Sequence, residues 1–162
     1  MVKILVCGDV EGRYAETFKR VAKLDKKAGP FDALFCVGAF YGEDRSVPAA
    51  PIPTYILDGE AGEVAENVTA LGACGATTIE ERKGGAGAKH LSVAFVADEG
   101  STKPLEDACA TAGFMGVDVL LSCEWPRGVD VGVADAEVEQ LAECGVRVNA
   151  AGTERMAECA KT

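Results

Sequence analysis

One histidine, His90, and one tryptophan, Trp125, occur in 162 residues. A site built from several imidazole ligands is therefore excluded. Long apolar runs are also missing. Ile4 to Cys7 is one short run, and Val117 to Leu121 is broken by Asp118, both far short of the roughly 20 residues a membrane span requires. Met1 and Val2 lead straight into Lys3 and a short β-branched run, which does not read as a secretory signal. Seven cysteines, Cys7, Cys36, Cys74, Cys109, Cys123, Cys144 and Cys159, form an odd set without a Cys-x-x-Cys pair. That spacing fits neither a disulfide framework nor a zinc knuckle. The expectation is reduced thiols in an intracellular protein, several of them buried as small hydrophobes. Positive charge is in deficit, with 16 bases against 26 acids and a net charge of −10. Binding a phosphate backbone depends on Lys and Arg displacing counterions, so direct nucleic-acid binding by this domain is not expected. The basic strip of Arg13, Lys19, Arg20, Lys23, Lys26 and Lys27 falls on one helix and reads as its solvated face.

What is present suffices for one core. At 48% hydrophobic, the chain is expected to form a single domain over residues 1–162. Lys3 to Gly8 reads as a strand. Arg13 to Lys27 places Tyr14, Phe18, Val21, Ala22 and Leu24 at near-helical spacing, and Gly29-Pro30 stops that helix before a second apolar strand, Asp32 to Val37. This βαβ opening predicts a parallel sheet with loops for a site at the carboxyl ends of its strands. Pro48, Pro51 and Pro53 mark an extended connector into a strand at Thr54 to Leu57. Asn67 to Leu71, Thr77 to Arg82 and His90 to Ala97 read as shorter strands, the last two flanking the glycine turn Gly84 to Gly87. Pro104 to Ala112 reads as a helix and Val117 to Ser122 as a strand. Asp135 to Cys144, Val146 to Asn149 and Thr153 to Lys161 then read as helix, strand and helix. The order gives a layered α/β sandwich.

Four strand-end loops are where chemistry would sit: Gly8-Asp9-Val10-Glu11-Gly12, Gly38-Ala39-Phe40, Asp58-Gly59-Glu60 and Ser122-Cys123-Glu124-Trp125-Pro126. Around them stand Lys3-Ile4-Leu5-Val6-Cys7, Phe31-Asp32 with Cys36-Val37-Gly38, and Ala50-Pro51-Ile52 with Thr54-Tyr55. Glu66-Asn67-Val68 and Gly116-Val117-Asp118 with Leu120-Leu121 follow. As an ordered set over most of the first 126 residues, they resemble the calcineurin-type metallophosphoesterases. The similarity is to the branch holding the RNA lariat debranching enzyme and the CwfJ-type splicing factors. The resemblance implies a calcineurin-like sandwich, and leaves open whether it is truncated at the C-terminal end of this chain.

In active members of that superfamily, the resemblance implies, the first loop gives an acid or thiol and a histidine, and the second a metal-bridging aspartate. The third gives an Asn-His pair and later loops further histidines, so that two metals clamp a phosphate and activate water. Carried over by position, Asp9 keeps the first acid. Glu11 stands for the histidine, Ala39 for the bridging aspartate, Glu60 and Ala61 for the Asn-His pair, and Cys123 for the next histidine. A methyl group cannot bridge two cations, so a degenerate site with no cofactor and no catalytic residue is expected. Asp9, Glu11 and Glu60 remain weak candidates for one hard cation. The alternative is that Asp9 and Glu60 bond loop backbone while Glu11 faces solvent. Cys123 has no histidine beside it in sequence, and His90 reads as a strand residue. Gly84 to Gly87 lacks the Lys and Ser/Thr of a phosphate-binding loop, so no nucleotide site is expected. Trp125-Pro126 caps the core under the strand ends, the favoured reading, or anchors a partner.

The resemblance therefore implies a non-catalytic, nuclear module of pre-mRNA splicing and intron-lariat turnover. Its expected partners are spliceosomal proteins, with contact to the debranching enzyme itself as one form this could take. Family members usually carry further C-terminal CwfJ domains. Since none follows in this sequence, the chain is expected to be a fragment or a reduced protein. Two other readings stay open: a weak metal-dependent phosphodiesterase using Asp9, Glu11 and Glu60, and a structural subunit of a large assembly.

Overall fold

Strand β1 (Ile4–Cys7), helix α1 (Tyr14–Ala28) and strand β2 (Ala33–Val37) form the opening unit of the computed structural model, with β1 and β2 parallel. Residues 1–58, 63–83, 88–97, 102–110, 116–123 and Arg127 are described. The chain divides into two compact units, Met1–Cys123 and Glu124–Thr162. The elements read from sequence in 135–144, 146–149 and 153–161, and the turn Gly84 to Gly87, lie outside the described residues.

Helix α1 forms where its pattern demands. Tyr14, Phe18 and Val21 fall on one face and are buried, while Lys19, Arg20, Lys23, Lys26 and Lys27 are exposed, as a solvated basic face requires. Lys26 and Lys27 in the last turn also complement the helix dipole. Next come the two-residue strand β3 (Ser46–Val47), β4 (Thr54–Leu57), the two-residue β5 (Glu63–Val64) and β6 (Val68–Ala70). They are followed by β7 (Cys74–Glu80), β8 (His90–Val96), α2 (Lys103–Cys109) and β9 (Val119–Ser122). A parallel sheet runs β1-β2-β4-β6, and a mixed sheet runs β7-β8-β9, with β7 antiparallel and β9 parallel to β8. Strands β3 and β5 form a separate short parallel ladder.

Alternation along the strands sorts the core into two layers. Leu34, Cys36 and Ile56 face α1 and pack with Tyr14, Phe18, Val21 and Phe40. Ala33, Phe35 and Leu57 face the other way, against Ile79, Val93, Phe95 and Leu121 of the mixed sheet. Phe35 and Tyr55, register partners on β2 and β4, stack there with centroids 5.2 Å apart. Full burial of a Leu, Ile or Phe side chain contributes about 1.5–3 kcal/mol, so these two layers dominate stability. The result is a layered α/β sandwich: α1, the parallel sheet, then the mixed sheet, with α2 against β7. Among the described residues no helix is long and apolar enough to cross a membrane.

At the amino end of the parallel sheet, buried Asp32 ties the two sheets together. Its Oδ2 accepts the Lys3 N–H and its Oδ1 the Arg82 N–H, each at 2.7 Å. The Arg82 guanidinium donates to the Phe31 carbonyl at 2.6 Å and pairs with Asp25 at 3.6 Å. That clip leaves the opposite, carboxyl end of the sheet as the place for a site.

Candidate functional site

The loops after β1 and β2 are joined through their backbones. Val10 and Glu11 both donate their N–H to the Ala39 carbonyl, at 2.9 and 3.1 Å, and Gly12 donates to the Phe40 carbonyl at 3.0 Å. In return Ala39 donates its N–H to Asp9 Oδ1 at 2.9 Å. Gly38 has φ +93°, which favours glycine, and a Cβ there would stand 2.3 Å from Asp9 Oδ1 and push that carboxylate off the Ala39 N–H. The Arg13 side chain closes the first loop, donating from Nε to the Val10 carbonyl at 3.1 Å and pairing with Glu11 Oε2 at 3.2 Å.

Asp58, at the end of β4, holds the second loop from the other side. Its Oδ2 accepts from Phe40 N at 2.8 Å and Tyr41 N at 3.2 Å, and Gly38 N donates to the Leu57 carbonyl at 3.0 Å. Phe40 is fully buried against Tyr14, with centroids 5.2 Å apart. The Tyr14 hydroxyl donates to the Asp44 carbonyl at 3.0 Å and accepts from Gly42 N at 3.2 Å. Cys123, after β9, donates its thiol to the Leu57 carbonyl at 3.2 Å. Four strand ends from both sheets thus meet in one row, in the order β1, β2, β4, β9.

Among the positions singled out from sequence, the structure brings together Asp9, Glu11 and Ala39 on one exposed rim, with half-buried Cys123 beyond Asp58. Glu60, Ala61, Trp125 and Pro126 lie outside the described residues. His90 is exposed at the start of β8, whereas Cys123 follows the residue paired with Val96 at that strand's far end. Six residue steps of strand are roughly 20 Å, too far for the imidazole to serve that thiol. Asp58 was not singled out from sequence beyond its place in a turn. Its only sequence signal is an acid directly after a buried strand.

The described residues do not fit a two-metal centre. Ala39 offers a methyl group, Asp9 Oδ1 is taken by a backbone N–H, and Glu11 faces Arg13. Among the described residues, no three His, Cys, Asp or Glu side chains converge to hold a metal ion. Residues 9–13 and 38–44 carry four acids and one arginine, so the rim is negative. Beneath it the Cys7 and Cys36 sulfurs approach to 3.4 Å. The hydrogen bond shared with Cys36 holds the Cys7 thiol below its ordinary pKa, against the opposing effect of burial, while the same contact with burial pushes Cys36 up.

No protein-family model matches the chain. Human CWF19-like protein 1 is 32% identical over 181 residues, covering 89% of this chain and 32% of that protein. The Drosophila melanogaster CWF19-like protein 1 homolog is 35% identical over 164 residues, covering 78% of this chain and 30% of its own. Zinc finger CCCH domain-containing protein 64 of Arabidopsis thaliana is 31% identical over 163 residues, covering 78% of this chain and 27% of its own. The chain thus spans about a third or less of the length of these relatives.

Proposed function

We propose that this chain, a homologue of the CWF19-like proteins, is a non-catalytic metallophosphoesterase-like module that binds protein partners in nuclear pre-mRNA splicing and intron-lariat turnover. The splicing assignment rests on the ordered motifs resembling the CwfJ-type factors. One observation carries the non-catalytic reading: Asp9 and Asp58, the acids at the ends of β1 and β4, hold backbone N–H groups of residues 39–41. Carboxylates engaged in this way stabilise a fixed surface, since a charge-assisted hydrogen bond contributes about 1.5–3 kcal/mol.

The partner class is a basic protein of the splicing machinery, because a chain of net charge −10 with an acidic rim is steered toward positive surfaces; the lariat debranching enzyme is a candidate on the resemblance alone. The test is co-elution of the chain with recombinant debranching enzyme and with basic late-spliceosomal proteins on size exclusion at low salt. A stoichiometric complex that dissociates as salt rises is expected, and no complex with any of them at low salt would overturn the partner assignment. The competing reading is a weak metal-dependent phosphodiesterase at Asp9, Glu11 and Glu60. In its favour, Asp9 and Glu11 are both exposed on one loop.

A further inference from the structure

Cys7 ends β1, and its register partner across the parallel ladder is Cys36 on β2. Register partners project from the same face of a sheet, here the face packed under α1. Neighbouring strands lie about 4.8 Å apart, inside the roughly 4.4–6.8 Å that a disulfide spans between Cα atoms. The two sulfurs are already 3.4 Å apart and both are free thiols. Their access differs. Cys36 is 1% exposed in the core, whereas Cys7 is half-buried and lines an open cleft of about 380 Å³ between β1 and α1, beside Asp9, Arg13, Thr17 and Arg20.

We propose that Cys7 and Cys36 form a dithiol site that closes to an intramolecular disulfide by exchange with a low-molecular-weight disulfide entering this cleft. Cys7, the accessible thiol, gives up its proton and its sulfur attacks one sulfur of the reagent. The reagent's S–S bond breaks, one small thiolate leaves, and a mixed disulfide stands on Cys7. Cys36 then attacks Cys7 Sγ, its proton passing to the second small thiolate as that group departs. Two protein thiols are oxidised by two electrons, and the reagent is reduced to two thiols that take up the released protons. Two residues beyond each cysteine stand Asp9 and Gly38, so the bond forms at the base of the joined loops and locks β1 to β2 beneath the acidic rim.

The full chain is incubated with glutathione disulfide, acid-quenched, blocked with an alkylating agent and mapped by peptide mass spectrometry. A single linked peptide pair joining Cys7 to Cys36, lost after dithiothreitol, is expected. Cys36→Ser should stop at glutathione on Cys7, and Cys7→Ser should leave Cys36 unmodified. Free, alkylatable Cys7 and Cys36 after oxidation of the folded wild-type chain would overturn the proposal, as would a link that forms only in urea. The wild-type map decides the matter even if a variant fails to fold.

Discussion

Asp9 Oδ1 accepts the backbone N–H of Ala39 at 2.9 Å, across 30 residues of sequence. The acid that the resemblance places first in a metal site is thereby joined to the residue standing where that resemblance expects a bridging aspartate. An exposed carboxylate becomes a fastener between two loops. Gly38, directly before Ala39, is what allows the approach.

Gly38→Ala meets two penalties at once: φ +93° and a Cβ 2.3 Å from Asp9 Oδ1. A strained left-handed residue costs about 1–3 kcal/mol. Thermal unfolding should therefore fall by several degrees. Asp9→Ala in the same chain removes the clash and leaves the φ penalty. The double variant should recover part of the loss, which a thermal or urea melt of the single and double variants would read.

Asp58→Ala leaves the N–H groups of Phe40 and Tyr41 without their acceptor. The expected loss is about 1–3 kcal/mol, with faster hydrogen exchange at residues 40 and 41. Asp58→Asn keeps one acceptor oxygen and should lose less. Equal losses in the two variants would show that charge rather than hydrogen bonding holds the loop.

Asp32→Ala acts at the other end of the sheet, releasing Lys3 N and Arg82 N together. A cost of about 1–3 kcal/mol is expected in urea titration. The rim should keep its structure, so partner binding should be unchanged once the protein is folded.

Cys7 should alkylate with a pH midpoint below that of an ordinary thiol, because Cys36 hydrogen-bonds to the ionised form and favours it. The sign follows directly: the lowered pKa means more thiolate, and faster reaction, at a given pH below the ordinary midpoint. Cys36→Ala removes that bond while burial continues to oppose ionisation, so the midpoint should rise. Alkylation rates from pH 6 to 10 would check it, and an unchanged midpoint would contradict it.

Much of the fold was legible because local patterns carried it. Strand Thr54–Leu57 has the bounds that its apolar run implies, and β8 differs by one residue. Strand β7 begins at Cys74 rather than Thr77, continuing through Gly75, which lies opposite Phe95, whose ring would stand 2.9 Å from a Cβ there. Two-residue strands such as β3 and β5 leave no periodic signal, and β3 also runs straight into the proline connector. The site was legible only as a set of loops. Asp58 reaches Phe40 across 18 residues, Asp32 reaches Arg82 across 50, and Cys7 meets Cys36 across 29. Such contacts depend on strand register, which no spacing along the chain encodes.

The most direct test of the non-catalytic reading is calorimetric titration of the folded chain with Mn²⁺, run beside Asp9→Ala and paired with a phosphodiesterase assay. The expected result is no saturable heat and no metal-dependent turnover. Micromolar binding abolished by Asp9→Ala, with hydrolysis that follows occupancy, would contradict it and make the rim a working metal site.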